Sequence, residues 1–220
     1  MNENNMKLND DIASWLSGVR KNWYQKADPF GAGRPVLFPK YPAIDQSQLD
    51  GARVFTDRVV AMQKYFAAGG KGIEVGTQTG NFAKLIFELT SPAEMVLLDI
   101  SDEYIKATNP EILEHNEISL IIGDSAISLP KLKQNYYDWI YIDANHDYDG
   151  VKKDLINASK LVKPGGLIAL NDYTIWSPLE MWPYGVVEAV HEFLSDNSWQ
   201  VEYIALGEQG YADIAIRRPS

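Results

Sequence analysis

An α/β fold is predicted, with a doubly wound, mostly parallel, seven-stranded Rossmann-like sheet and an antiparallel C-terminal hairpin. Three observations predict it. Short apolar runs at 72–75, 95–99, 118–124, 137–143 and 167–170 alternate with segments of helical periodicity. The first run breaks into a glycine turn, Glu74-Val75-Gly76-Thr77-Gln78-Thr79-Gly80, which opens a helix carrying Phe82, Leu85, Ile86 and Leu89. Two strand-like runs, 199–206 and 211–216, end the chain, and the link Gly207-Glu208-Gln209-Gly210 is too short for a crossover.

The chain has 220 residues, which suits an N-terminal helix and cap segment over 1–50 and a core domain over 51–220. A formal charge of −10 and a pI near 4.8 disfavour nucleic-acid and anionic-membrane partners, which this surface would repel. With 3 scattered histidines and no cysteine, a zinc or iron–sulfur site and disulfide stapling are not expected. The polar N-terminus has no apolar signal core and no run approaches membrane-spanning length, so a soluble cytoplasmic protein is expected. Oligomeric state is not legible, and a homo-oligomer stays open.

Taken in order, Ile12, Trp15, Leu16, Val19 and Trp23 share one helical face. The proline-, glycine- and aromatic-rich stretch 27–42 forbids regular structure and suits either a cap over a pocket or a loop pinned by its aromatics. A long helix should come next, burying Leu49, Val54, Phe55, Val59, Met62 and Phe66 and stopped by Gly69-Gly70. Asp99 ends the second strand roughly twenty residues past Gly76, where a carboxylate can accept both hydrogen bonds of a ribose diol, and Ile100 can lie against an adenine. Gly123-Asp124-Ser125 ends the third strand. Asp124 suits a helix N-cap, an acceptor for an adenine amino group, or both. After the fourth strand comes Asp143-Ala144-Asn145-His146-Asp147-Tyr148, then a helix, a Lys163-Pro164-Gly165-Gly166 stop, and a fifth strand closing on Asn171-Asp172. A second proline- and aromatic-rich loop, 173–184, precedes the last helix. Its Trp176, Trp182 and Tyr184, with Tyr41, are candidate pocket walls or loop anchors.

The glycine turn reads E-x-G-x-x-x-G, not the G-x-G-x-x-G that admits a pyrophosphate. It suits a ligand with no diphosphate and with a positive charge that Glu74 can balance, as S-adenosylmethionine (SAM) has. The ordered series Glu74-Val75-Gly76…Gly80, Asp99, Gly123-Asp124, Tyr141-Ile142-Asp143 and Leu161-Val162-Lys163-Pro164-Gly165-Gly166 resembles the class I SAM-dependent methyltransferases over about 52–218. Within them, Ile142 to Tyr148, with Val151, Asp154-Leu155 and Leu170-Asn171-Asp172-Tyr173, resembles bacterial small-molecule O-methyltransferases. That group includes macrolide-sugar methyltransferases and cephalosporin hydroxylase-like proteins. The resemblance implies SAM as cofactor, held by Glu74, Gly76, Thr77, Gly80, Asp99, Ile100, Asp124, Ser125 and Asp143, and a small hydroxylated acceptor. It also implies Mg²⁺ on Asp143, Asn171 and Asp172, although the neutral Asn171 would weaken the site.

Two routes could deprotonate the acceptor: the metal, or His146 as general base beside Asp143. Two other functions stay open on the sequence. A nicotinamide-dependent Rossmann oxidoreductase is disfavoured by the missing middle glycine. A non-catalytic SAM-binding protein would keep the cleft without the chemistry.

Overall fold

The computed structural model of the chain describes Asp11, residues 13–18 and residues 41–220, in two compact units, Met1–Lys40 and Tyr41–Ser220. In the first, Asp11 and residues 13–18 are helical, as the periodicity around Trp15 and Leu16 requires. Ile12, Val19, Trp23 and the stretch 27–40 expected to form a cap lie outside the described residues.

The second unit is built on an eight-stranded sheet with a separate two-stranded ladder. The strands are β1 (Arg53–Phe55), β2 (Lys71–Val75), β3 (Glu94–Asp99), β4 (Ile118–Ile122), β5 (Tyr137–Ile142), β6 (Val162–Leu170), β7 (Trp176–Ser177), β8 (Trp182–Pro183), β9 (Gln200–Leu206) and β10 (Ala212–Arg217). The large sheet runs β1-β9-β10-β6-β5-β2-β3-β4, and in it only the pairings of β10 are antiparallel. The helices are α1 (Arg58–Tyr65), α2 (Asn81–Thr90), α3 (Glu103–Thr108), α4 (Ser125–Ser128), α5 (Tyr148–Leu161) and α6 (Val186–Asp196). Among the described residues no helix is long and apolar enough to cross a membrane.

Alternation along each strand sends side chains to two buried faces. Ile73, Val75, Ile140, Ile142, Ile168 and Leu170 pack against α5 and α6. Met95, Leu97, Trp139, Tyr141, Leu167 and Ala169 pack on the side of α1 and α2, through Ala61, Met62, Ala83 and Ile86. Both faces are covered, so the central strands are nearly continuous apolar runs, and this made them legible.

Three expectations need correction. The long helix placed over Leu49 to Phe66 is instead a 3₁₀ turn at Gln46–Gln48, the edge strand β1, and α1. Val54 and Phe55 are β-branched and aromatic, and they complete the open edge of β9 through Val54↔Ile204 and Phe55↔Ala205. Asp57 then starts a new helix, its carboxylate accepting from the Val60 N–H at 2.9 Å. That helix ends at Phe66, ahead of Gly69-Gly70.

Next, Lys163-Pro164-Gly165-Gly166 is not a loop but the bulged first half of β6, where the register jumps from Tyr137↔Val162 to Trp139↔Leu167. Lys163 Nζ is held there by Asp138 at 2.8 Å. Last, the loop 173–184 is not wholly irregular, since β7 and β8 pair within it as a small antiparallel ladder.

Gly72 shows how tightly the second face is packed. Its neighbour across the ladder is Trp139, and a Cβ on Gly72 would sit 2.1 Å from the indole ring, which is fully buried and stacked on Phe66. Gly72→Ala is expected to cost about 3 kcal/mol, the upper part of the range for overpacking a core. Urea unfolding would show it, and an unchanged midpoint would mean that Trp139 can move aside.

Candidate functional site

The carboxyl ends of β2, β3, β4 and β5 open onto one cleft of about 690 Å³. Open α/β sheets place ligands at this edge. Eight of the residues singled out from the sequence line it: Gly76, Thr77, Asp99 and Ile100 with Asp124, Ser125, Asp143 and His146. Glu74 and Gly80 stand just outside the lining.

The turn from β2 into α2 is shaped by two glycines. Gly76 has φ +91°, and a Cβ there would lie 2.0 Å from the carbonyl oxygen of Asp143. Gly80 has φ +76° and a Cβ would meet Ile105 Cγ1 at 2.8 Å. Between them Gln78 takes a left-handed conformation (φ 48°) and donates its N–H to Asp99 Oδ2 at 2.7 Å. Asp99 Oδ1 accepts from Ser101 N–H at 3.2 Å, so its carboxylate ties the turn to the tip of β3. Ile100 beside it is 78% exposed, an apolar wall with nothing packed over it.

Asp124 caps α4, its Oδ1 accepting from the Ala126 N–H at 2.8 Å. Of its two sequence readings, the structure shows the capping one. Glu74 is buried behind Gly76, and its Oε2 and the hydroxyl of Thr77 have no hydrogen-bond partner. Burial pushes its carboxyl up to about 8, with the charges of Asp143 and Asp99 adding to the effect.

At the other end of the cleft His146 is clamped. Its ring stacks on Tyr184 with centroids 4.4 Å apart, and its carbonyl accepts from Gly185 N–H at 2.8 Å. Tyr184 is therefore an anchor for the histidine, while Tyr41 packs edge-on against His191 at 4.7 Å. His146 Nε2 is buried without a hydrogen-bond partner, 3.5 Å from Asp143 Oδ1 and 3.6 Å from Asp172 Oδ2. Burial alone would lower its pKa, but the Asp143 carboxylate and the charges of Asp172 and Glu180 raise it above the ordinary value.

Asp143, Asn171 and Asp172 do come together, yet they do not fit a divalent cation. Asn171 turns its amide nitrogen, not its oxygen, to Asp143 Oδ1 at 2.7 Å, and the imidazole occupies the space between the two aspartates. Arg58 adds its positive charge to this carboxylate group from α1. Among the described residues no group of three or more His, Asp or Glu is arranged to hold a metal ion. The expected Mg²⁺ therefore finds no support in this arrangement.

Two features escaped the sequence. Arg58 Nη1 donates to Tyr141 Oη at 3.1 Å, and Tyr141 donates to the buried Asp213 at 2.7 Å. Nothing local signals a pairing between residues so far apart. Asp154, by contrast, sits within the buried stripe Val151, Leu155 and Ala158 of α5, and a carboxylate on an apolar helix face was a readable anomaly.

Glu74 gives a pH test. Its folded pKa lies above the ordinary 4.5, so the folded state holds a proton that the unfolded chain releases. The group's contribution therefore favours folding at low pH and is lost as pH rises from about 4.5 to about 8. Glu74→Gln should melt higher than the parent near pH 8 and about equally near pH 5, without added ligand. Equal melting temperatures at both pH values would show that Glu74 ionises freely in the fold.

No curated protein matches the chain in sequence. Among solved structures, the O-methyltransferase TomG from Streptomyces achromogenes, in complex with SAM, superposes with a TM-score of 0.57 at 17% identity, over 74% of this chain and 78% of that one. The N-methyltransferase NodS from Bradyrhizobium japonicum gives 0.57 at 15%, over 74% and 93%. A protein from Clostridium thermocellum described as an rRNA-methylase gives 0.58 at 15%, over 83% and 99%. Residues 73–173 match the family model of a methyltransferase domain, and the fold that carries them is the one seen in SAM-dependent methyltransferases.

Proposed function

We propose that the chain transfers the methyl group of SAM to a hydroxyl oxygen of a small-molecule acceptor, with His146 as general base. The observation that carries this reading is the buried, unpartnered Nε2 of His146. It lies between Asp143 and Asp172 at the end of the cleft that begins at the Gly76 turn. The resemblance of Ile142 to Tyr148 to bacterial O-methyltransferases favours oxygen over nitrogen or carbon as the acceptor atom.

Bound SAM supplies an electrophilic methyl group on a sulfonium centre, so the protein mainly has to align the attack and take a proton. The Gly76–Asn81 turn and Glu74 would hold the methionine end, Asp99 the ribose, and Ile100 and Asp124 the adenine base. Tyr184 holds the imidazole plane through stacking. A proton arriving on Nε2 gives an imidazolium flanked by two carboxylates at 3.5 and 3.6 Å, which stabilise it where it forms. No step runs through a divalent cation.

Calorimetric titration with SAM and with S-adenosylhomocysteine tests the first half: both should bind, and no heat from either would end the proposal. For the second half, a panel of hydroxylated acceptors is assayed by release of S-adenosylhomocysteine. Loss of a general base costs about 10²–10⁴-fold, so His146→Ala should lower turnover by that factor without weakening SAM binding. A chelator should leave turnover unchanged. Full activity in His146→Ala would dismiss the base, and loss of activity on chelation would restore the metal.

A further inference from the structure

Asp154 is only 1% exposed, yet neither of its carboxylate oxygens makes a well-formed hydrogen bond, the nearby Ser125 hydroxyl being only a weak donor to it. Burying a carboxylate without partners is costly, and stable folds seldom leave one without a use. The residue lines the cleft, together with Asp124, Ser125 and Ala126. Around it stand Ser125 and Asp124 from the start of α4 and Lys153 from its own helix. Burial pushes its carboxyl up to about 6; Asp124 adds to the shift, and Ser125 and Lys153 oppose it.

Position decides which part of a ligand meets it. With a ribose held at Asp99, the attached base extends over the exposed Ile100 towards Gly123–Ala126, where Asp154 and Asp124 face the same space. Asp124 has committed Oδ1 to the Ala126 N–H, which leaves Oδ2 open. Two carboxylates with free lone pairs call for a group with two hydrogens to donate.

We infer that Asp154 is a specificity residue for the nucleoside: with Asp124 it accepts the two hydrogens of the purine's exocyclic amino group. This rests on the SAM reading and deepens it. A purine carrying a carbonyl in place of the amino group would set an acceptor against two acceptors, and the site would reject it.

Calorimetry with S-adenosylhomocysteine and S-inosylhomocysteine, in which a carbonyl replaces the amino group and N1 gains a hydrogen, reads the inference. The parent protein should bind the adenosyl compound at least about 10-fold more tightly, since a site built around a donor leaves its own groups unpaired when the donor is missing. Asp154→Leu should bring that ratio towards one by weakening the adenosyl compound alone. Asp154→Asn keeps the shape and gains an N–H₂ donor, so it should strengthen binding of the inosyl compound, and it carries the test if the leucine variant fails to fold. A ratio unchanged in both variants would overturn the inference. So would an equal loss for both nucleosides in Asp154→Leu, which would make Asp154 a support for α4. If the parent binds neither compound, the SAM reading itself fails and takes this one with it.

Discussion

The site depends on how closely the tips of two neighbouring strands approach. Val75 and Ile142 are paired in register, and the Asp143 N–H donates to the Val75 carbonyl at 2.7 Å. One residue further on, the backbones of Gly76 and Asp143 are so close that no side chain fits between them. Only a residue without Cβ, free to take a positive φ, can stand there. The same crossing sets the direction in which the chain leaves each strand. It aims the Gly76–Asn81 turn across the cleft, and it brings Asp143 and the His146 loop up to that turn. The glycine turn and the His146 loop become neighbours because of one glycine.

The parts of this arrangement differed in how legible they were. The inner strands β2, β3, β5 and β6 were visible because burial on both faces leaves little need for polar residues, and the half-exposed edge strand β4 still carries an apolar run ending in Gly123-Asp124. Strand β1 was not visible: Val54 and Phe55 also fit a helical stripe, and what makes them a strand is the vacant edge of β9, far away in sequence. Lys163 to Gly166 misled for the opposite reason. Pro and Gly usually end an element, but here a bulge and an ion pair to Asp138 carry the strand through them. The aspartates at strand tips were found because topology alone carries them to one edge. Their hydrogen bonds were not, since the Gln78 and Ala126 amides that engage Asp99 and Asp124 depend on turn geometry.

Charge connects the cleft to the chemistry proposed for it. Seven carboxylates and one lysine line it, in a chain whose formal charge is already −10. Such a lining is costly to leave unbalanced: burial raises the pKa of Asp154 and of Glu74 behind it, and the neighbouring carboxylates Asp124, Asp143 and Asp99 add to the rise. It suits a cationic ligand, which both offsets that cost and is drawn in by the field. An NAD-type diphosphate would meet the same field as repulsion, which separates the nicotinamide and SAM readings of the glycine turn on electrostatics as well as on its missing middle glycine.

The same lining bears on the proposed reaction. Transfer of the methyl group turns a sulfonium into a neutral thioether, so the nucleoside loses one positive charge while the cleft keeps its carboxylates. In the proposed reaction the part of the affinity that comes from charge would fall as the methyl group leaves, and a proton taken up by His146 would partly replace the lost cation near Asp143 and Asp172. An acidic cleft thus favours the reactant over the product without a moving part. Its cost is a group of like charges held close together while no cation is bound, which a rigid sheet edge with tightly packed tips is able to hold.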